Sequence, residues 1–438
     1  MTIKQKERDS IVQALRAGVV PRLGLHHVQV GRLQEIEEMA RDINRIVEGG
    51  STIRFVIGEY GAGKTFFLNL IRLIAVEKKL VTIHADLAPD RRIHSTGGQA
   101  RNLYAELIRN MSTRSKPDSG ALPSIVERFI GDSERIASAT GENVSVTLHK
   151  RLVPLQDMIS GYDFANVIEH YWRAFEEGDE NGKVAALRWL RGEYALKTEA
   201  REALNVRSII DDEKVYDYLK LMACFVRLAG YGGLLIVMDE MVNLSKLVSA
   251  QARNQNYEQI LRIINDVLQG NIENFGIMFG GTPEFLMDSR RGLYSYEALR
   301  SRLAENSFSH AGLIDVSGPV IRLQSLSVEH LYHLLQKLRH LYACGNESQY
   351  LISDDALKAF MQHCEKKIGD AYFRTPRNTI KSFIDLLSIL DQNRATRWED
   401  LLGKVEISVE TSILADAGSD ATTSEGVIDL DDLSSFKL

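Results

Sequence analysis

The sequence predicts an α/β fold in which a parallel sheet is covered by helices on both faces. Short, almost wholly apolar runs of strand length recur at residues 52–57, 80–85, 234–238, 275–279 and 320–323. Longer segments with helical periodicity separate these runs. A glycine-rich octapeptide lies between the first run and a helical segment. Apolar strands separated by helices are typical of a parallel sheet that is buried on both sides.

The octapeptide fits the pattern G-x-x-x-x-G-K-[ST], the phosphate-binding loop of nucleotide-hydrolysing proteins. Its glycines allow a tight turn whose backbone N–H groups face phosphate oxygens. Lys64 adds a positive charge for the β- and γ-phosphates, and the hydroxyl of Thr65 is a ligand for Mg²⁺. The helix that follows adds the partial positive charge of its N-terminus. The residues predicted to bind the nucleotide phosphates are Gly58, Glu59, Tyr60, Gly61, Ala62, Gly63, Lys64, Thr65 and Phe66.

Composition limits the class of protein. The 438 residues suffice for two or three domains, and 44% hydrophobic with 26% charged residues is typical of a soluble globular protein. The sequence shows no secretory signal and no apolar run of membrane-spanning length, so we expect a cytoplasmic protein. The three cysteines are too scattered for a disulfide framework or a metal site. The net charge of −6 means that any DNA binding requires a local basic patch or a partner.

The pattern divides the chain into four parts. Residues 1–30 contain an amphipathic helix and are predicted to include a segment that contacts the nucleotide base, and residues 31–327 contain the predicted nucleotide-binding core. A helical insertion at about residues 95–230 is far longer than a strand crossover needs. Residues 328–412 are again helical and are predicted to form a lid subdomain. Residues 413–438 are rich in small and acidic residues and are predicted to be a disordered tail. The apolar residues of the tail fit either a partner-docking motif or an inert solubilising segment.

Two acidic residues end the third strand. We expect Asp239 to lie beside the phosphate loop, where it can hold Mg²⁺ through water, and Glu240 to orient and deprotonate an attacking water molecule. An ordinary acidic strand end is the alternative. Thr282 follows the fourth strand and is predicted to sense the γ-phosphate and help to position the water. The alternative for Thr282 is a turn threonine before Pro283.

Three arginines are candidates for contacts with the transferred phosphate. Leu299 and Leu303 mark the buried face of a short helix, so Arg300 and Arg302 point elsewhere. An arginine that reaches the γ-phosphate of a neighbouring subunit stabilises transition-state charge. A plain surface arginine is the alternative for each. Arg377 begins a helix in the C-terminal part and is predicted to reach over the nucleotide, coupling the lid to the phosphate state. Ordinary charge at a helix start is its alternative.

These motifs follow one another in a fixed order. They comprise residues 30–32 (Val-Gly-Arg), the phosphate loop, residues 234–240, Thr282, Arg300, Arg302, residues 323–331 and Arg377. This order, over about residues 20–410, resembles an AAA+ P-loop ATPase of the initiator (Orc/Cdc6-like) branch. The resemblance implies an AAA+ core followed by a helical lid. It also implies that Gly31, Arg32 and Arg377 contribute to the nucleotide site.

Three further segments narrow the resemblance. Residues 188–193 (RWLRGE), 230–234 (GYGGL) and 292–299 (GLYSYEAL) look like the BrxD-like ATP-binding proteins of BREX-type phage-defence systems. This resemblance implies an ATPase with ATP and Mg²⁺ as cofactors. It also implies a homo-oligomer on or near DNA, alongside other defence proteins such as a helicase. The chain departs from the initiators in two ways. Residues 391–412 are too few for a winged-helix DNA-binding domain, and the helical insertion is not a general initiator feature.

The sequence therefore supports two functions of different kinds. The first is a motor or switch ATPase in a multi-protein defence assembly. The second is a nucleotide-dependent assembly switch or scaffold with little turnover. Glu240 favours the first, because a protein that only binds nucleotide does not need a water-activating carboxylate. A small-molecule kinase is disfavoured, since the sequence shows no acceptor pocket and such an activity leaves the C-terminal lid unexplained.

Overall fold

The computed structural model describes residues 3–22, 24–306, 315–368 and 376–402. The predicted tail at residues 413–438 lies outside them. The described strands form one five-stranded parallel sheet with the order β2-β3-β4-β1-β5, so the predicted α/β class is confirmed. The strands are β1 (Ser51–Ile57), β2 (Val81–Asp86), β3 (Leu234–Asp239), β4 (Phe275–Gly281) and β5 (Val320–Arg322).

Helices connect the strands and extend beyond them. The helices before β3 are α1 (Gln5–Arg16), α2 (Leu25–Val28), α3 (Leu33–Val47), α4 (Lys64–Glu77), α5 (Gln99–Arg109), α6 (Leu122–Thr140), α7 (Val144–Gln156), α8 (Gly161–Glu177), α9 (Glu180–Leu190), α10 (Lys197–Leu204) and α11 (Val215–Leu228). The helices after β3 are α12 (Val242–Ser245), α13 (Ala250–Leu268), α14 (Pro283–Met287), α15 (Glu297–Arg302), α16 (Val328–Tyr342), α17 (Asp354–Ile368), α18 (Pro376–Gln392) and α19 (Trp398–Leu402). Among the helices described, none combines the length and apolarity that crossing a membrane requires.

The sheet separates two apolar layers, because successive strand residues point to opposite faces. On one face, Val56 and Val237 pack in a cluster with residues of α3 and α4. On the other, Phe55 and Ile236 belong to a larger cluster that includes residues of α5 to α11 and of α13. The seven helices between β2 and β3 are therefore packed onto the sheet and share its core.

Large aromatic side chains form the centre of these seven helices. Phe164 meets Trp189 and Phe225 edge to face, with ring centroids 6.2 and 5.7 Å apart. Trp189 meets Tyr218 in the same way at 5.6 Å, and its indole N–H donates to the backbone oxygen of Ser208 at 3.0 Å. Edge-to-face geometry is favourable for buried aromatic rings, so this part of the chain has a well-ordered interior.

A third apolar cluster joins the two ends of the described chain. Ile11 and Leu15 of α1 pack with Leu334 and Leu338 of α16 and with Phe383 of α18. We call the described residues 3–22, 24–28, 328–368 and 376–402 together the lid unit. The chain passes between the lid unit and the sheet-containing core twice, at residues 29–32 and again at residues 323–327.

One buried cluster of charges fastens α3 to the sheet. Arg54 of β1 donates to Asp42 at 2.5 and 3.1 Å and to Glu38 at 3.0 Å. The side chain of Arg54 also donates to the backbone oxygens of Val316 and Ser317 at 3.0 and 2.8 Å. All three charged residues are at most 7% exposed. Asp42 therefore depends on Arg54 for its counter-charge, whereas Glu38 also pairs with the exposed Arg41. Arg54 also holds the segment that leads into β5.

Candidate functional site

The glycine-rich loop runs from the end of β1 into the first turn of α4. Gly61 and Gly63 have φ angles of 78° and 85°, a conformation that a side chain would strain. Lys64 Nζ donates to the backbone oxygens of Gly58 and Glu59 at 2.8 and 2.9 Å, so the ammonium lies against the loop. Burial lowers the pKa of Lys64, an effect that nearby carboxylates oppose. The loop thus has the shape and the charge that phosphate binding requires.

The end of β3 meets the phosphate loop at Thr65. The Thr65 hydroxyl donates to Asp239 Oδ2 at 2.7 Å, and the backbone N–H of Glu240 donates to Asp239 Oδ1 at 2.8 Å. Asp239 is buried. A hydroxyl and a carboxylate are the hard oxygen ligands that Mg²⁺ takes in proteins, together with water and substrate phosphates. The residues present therefore fit a magnesium ion beside the loop.

Glu240 lies at the same cavity as the phosphate loop. Its φ angle is 56°, an uncommon conformation for a residue with a side chain and one that is concentrated at functional sites. Burial raises the pKa of Glu240, and the neighbouring charges of Asp239 and Asp86 raise it further. A raised pKa makes a carboxylate a stronger base, so Glu240 suits the removal of a proton from water.

The cavity has a volume of about 410 Å³ and lies between the phosphate loop and the lid unit. Lys64, Thr65 and Glu240 are among its polar residues, and most of its other lining side chains are apolar. A nucleotide needs polar groups for its phosphates and apolar surface for its base. The apolar residues are Leu15, Val19, Val20, Val28, Val30, Leu326, Leu334, Leu338 and Ile380. The sequence predicts a base-contacting segment within residues 1–30 but does not single out these individual side chains, because apolar residues at helical spacing usually indicate a core. The break in helical pattern from Gly18 to Pro21 was the available signal.

Arg32 lines this cavity and connects three parts of the chain. Its Nη2 atom donates to the backbone oxygens of Ala62, in the phosphate loop, and of Gln324, in the second crossing to the lid unit. Its Nη1 atom is buried and has no partner among the described residues. Gly31 has a φ angle of 63°, and a Cβ there would lie 3.0 Å from the ring of His330. Gly31 thus permits the close approach of α16.

The remaining predicted residues divide into two groups. Arg377 lines the cavity and its Nη1 atom donates to the Tyr60 hydroxyl at 3.4 Å. Thr282 follows β4 beside the start of the loop, where its hydroxyl accepts from the backbone N–H of Phe285 at 3.3 Å and caps α14. Arg300 and Arg302 are exposed on α15. Neither arginine is among the described residues that line the cavity.

Arg302 is nevertheless held in place. Its Nε atom donates to the side-chain oxygen of Asn265 on α13 at 2.7 Å, and its Nη1 atom donates to the backbone oxygen of Ala298. The structure therefore brings the loop, Asp239, Glu240, Arg32 and Arg377 to one cavity. It leaves Arg300 and Arg302 on an outer surface of the same chain.

The fold and the site together define a P-loop nucleotide-binding protein. Residues 3–406 match the family model described as BREX system ATP-binding protein BrxC/D. Because the match spans nearly the whole chain, the protein belongs to this family, and the expected resemblance to BREX proteins is confirmed. It is an ATP-binding protein of a BREX phage-defence system, and its partners include other proteins of that system. No curated protein matches the chain.

Proposed function

We propose that this protein is an AAA+ ATPase that binds and hydrolyses ATP as a motor or switch of a BREX assembly. The observation that carries the proposal is the meeting of Thr65, Asp239 and Glu240 beside the phosphate loop. The hydroxyl-to-carboxylate contact of 2.7 Å forms the metal position. Glu240, whose pKa is raised by burial and by the neighbouring charge of Asp239, lies next to Asp239 in the sequence and lines the nucleotide cavity.

The proposed reaction assigns a task to each group. The loop N–H groups and Lys64 hold the β- and γ-phosphates of ATP. Thr65 and Asp239 would hold Mg²⁺, which would supply positive charge to offset the charge of the phosphates. Glu240 accepts a proton from water, the water oxygen bonds to the γ-phosphorus, and the bond from that phosphorus to the bridging oxygen of ADP breaks. Thr282, at the end of β4, helps to position the water.

The outer position of Arg300 and Arg302 supports a homo-oligomer. On α15, each can serve a neighbouring subunit's γ-phosphate, where an arginine stabilises the charge of the transition state. Arg377 belongs to the lid unit and reaches the Tyr60 hydroxyl of the phosphate loop, which links lid position to the nucleotide. Gly31 and Arg32 lie at the first crossing to the lid unit and complete the nucleotide site.

The assembly around this ATPase is also part of the proposal. The net charge of −6 is unfavourable for DNA binding by the chain as a whole, so association with DNA occurs through a local patch or through a partner such as a helicase. The helices between β2 and β3 offer a large surface for such partners. We place the assembly in the cytoplasm.

A second function has support from one observation. The lid unit contributes both ends of the described chain to the wall of the nucleotide cavity. Binding of ATP alone therefore affects many residues of the lid unit. A nucleotide-dependent assembly switch or scaffold with little turnover would use this arrangement without Glu240.

A steady-state ATPase assay separates the two functions. Glu240→Gln keeps the size of the side chain and removes the base, so we expect ATP to bind normally while turnover falls by about 10²–10⁴-fold. Glu180→Gln, on the exposed surface of α9, is the matched control and should keep wild-type turnover. Assays with and without DNA show whether DNA stimulates the enzyme. Wild-type turnover by Glu240→Gln would exclude Glu240 as the base. ATP binding without turnover by the wild type would favour the scaffold.

A further inference from the structure

Polar side chains face each other between α4 and β2, where a helix and a buried strand usually make apolar contacts. Thr65, Asn69 and Arg72 lie at helical spacing on α4, and Thr82 and His84 are alternate residues of β2. All five line a second cavity of about 410 Å³. Thr65 belongs to the walls of both cavities. The second cavity therefore adjoins the place where the γ-phosphate is expected.

Several polar atoms in this wall are without partners. Arg72 Nε, Thr82 Oγ1 and His84 Nδ1 are buried and, among the described residues, accept or donate no hydrogen bond. Thr82 is 0% exposed. The Arg72 guanidinium donates to Asn69 Oδ1 at 2.8 Å and forms no ion pair within the described part of the chain. Buried polar groups are nearly always satisfied, so a ligand with oxygen atoms would satisfy these atoms, and its negative charge would pair with Arg72.

The pKa values of Arg72 and His84 agree with an anion site in the second cavity. Burial lowers the pKa of Arg72 to about 10, although Asp86 opposes the shift. Burial and the charge of Arg72 lower the pKa of His84 to about 3, so the imidazole is neutral at physiological pH. With a pKa of about 10, Arg72 keeps its proton and its positive charge at physiological pH. An anion in the cavity would offset the free-energy cost of burying that charge. Arg22, which also lines the cavity, adds a second positive charge.

Acidic side chains also line the cavity and restrict the kind of anion. Asp86 lies opposite Asp239 in the register of β2 and β3, and Asp118 belongs to the same wall. A carboxylate repels an anion that has no hydrogen to donate, but accepts a hydrogen bond from one that keeps a proton. Phosphate loses its second proton only near neutral pH and retains its third, whereas sulfate carries none. The mixed wall therefore favours phosphate over sulfate.

We propose that this second cavity binds inorganic phosphate, with Arg72 and Thr82 as donors to its oxygens and Asp86 as acceptor from its hydroxyl. Since Thr65 and Asp239 form part of the wall, the site lies next to the reacting phosphate and can hold the phosphate that ATP hydrolysis releases. The inference rests on the proposed hydrolysis for the source of the phosphate. Binding itself does not require turnover.

The test is calorimetric titration of sodium phosphate into the full chain saturated with ADP and Mg²⁺, so that the phosphate loop is occupied. Phosphate should bind, and sodium sulfate at equal ionic strength should not. Arg72→Met should weaken phosphate binding by roughly tenfold or more, the effect of losing a charged hydrogen bond. Arg72→Lys, which keeps the positive charge, should recover part of the phosphate affinity that Arg72→Met loses. Arg135→Met is the matched control, since the side chain of Arg135 on α6 is 77% exposed, and it should bind phosphate as the wild type does.

Asp86→Asn should increase sulfate binding, because one of the repelling charges of the wall is removed. Equal binding of phosphate and sulfate by the wild type would overturn the proposal, and this comparison does not depend on any variant folding. Phosphate binding that is unchanged in folded Arg72→Met would place the ion elsewhere and would also overturn it. The absence of phosphate binding would mean that the cavity holds only water. A chain without ATPase activity that shows the predicted phosphate binding would contradict the proposed hydrolysis and leave the phosphate site intact.

Discussion

Replacing Arg54 by methionine should destabilise the protein more than replacing any other residue of the ion pairs described above. Methionine keeps much of the length of the side chain and removes the guanidinium. Asp42, at 4% exposure, then remains buried without a counter-charge, and Glu38, at 7% exposure, keeps only its pair with the exposed Arg41. Breaking a buried pair by removing one partner costs about 3–5 kcal/mol, a large part of the roughly 5–15 kcal/mol that stabilises a typical folded domain.

The chain provides a matched control in the same cluster. Arg41 also donates to Glu38, at 2.8 Å, but its side chain is 70% exposed. Exposed pairs contribute about 0–1 kcal/mol, so Arg41→Met should change stability little. Adding Asp42→Asn to Arg54→Met should recover part of the loss, because the uncompensated charge of Asp42 is removed.

Urea unfolding, followed by circular dichroism, measures these differences. The shift of the midpoint, multiplied by the shared slope, gives the loss of stability. Arg54→Met should unfold at a clearly lower urea concentration than both the wild type and Arg41→Met. If Arg54→Met and Arg41→Met lie within about 1 kcal/mol of each other, the cluster does not have the buried character described here.

Three further variants test the site. Lys64→Ala should abolish ATP binding without unfolding the chain, and titration with a fluorescent ATP analogue checks this; wild-type affinity would exclude the loop as the ATP site. Arg302→Ala, or Arg300→Ala, should bind ATP and lose about a thousandfold in turnover, and mixing it with Lys64→Ala should restore activity; a fully active monomer would rule out an arginine acting between subunits. Arg377→Met should weaken ATP binding by roughly tenfold, whereas unchanged affinity and turnover would leave Arg377 only its role at the start of a helix.

The strands were predictable because of where they lie. A strand covered on both faces must be apolar along its whole length, and the runs at residues 52–57 and 275–279 lie within β1 and β4. The order of the strands was not predictable in this way. β4 lies between β1 and β3, and a parallel pairing depends on how distant segments pack. An apolar run does not specify its neighbours.

The site was predictable in its types of residue but not in its full wall. The spacing of glycines before Lys64 follows from what a phosphate demands of a backbone. Thr65 and Asp239, 174 positions apart, could be paired in advance because the two motifs serve one ion. The association of α1 with α16 and α18 could not be predicted from the sequence, since an amphipathic helix fits any apolar surface of suitable shape. The same applies to Arg72 and Thr82, whose facing positions only the packed structure reveals.

The two crossings at residues 29–32 and 323–327 have a mechanical consequence. A lid tied to its base by a single linker can swing and twist in any direction. A rigid body tied at two points keeps one easy freedom, rotation about the line that joins the points, because other displacements stretch one connection or the other. Arg32 bonds to Gln324 as well as to the phosphate loop, and so holds the two attachment points together. The lid unit should therefore open and close like a door on two hinges, with the axis of rotation beside the phosphates.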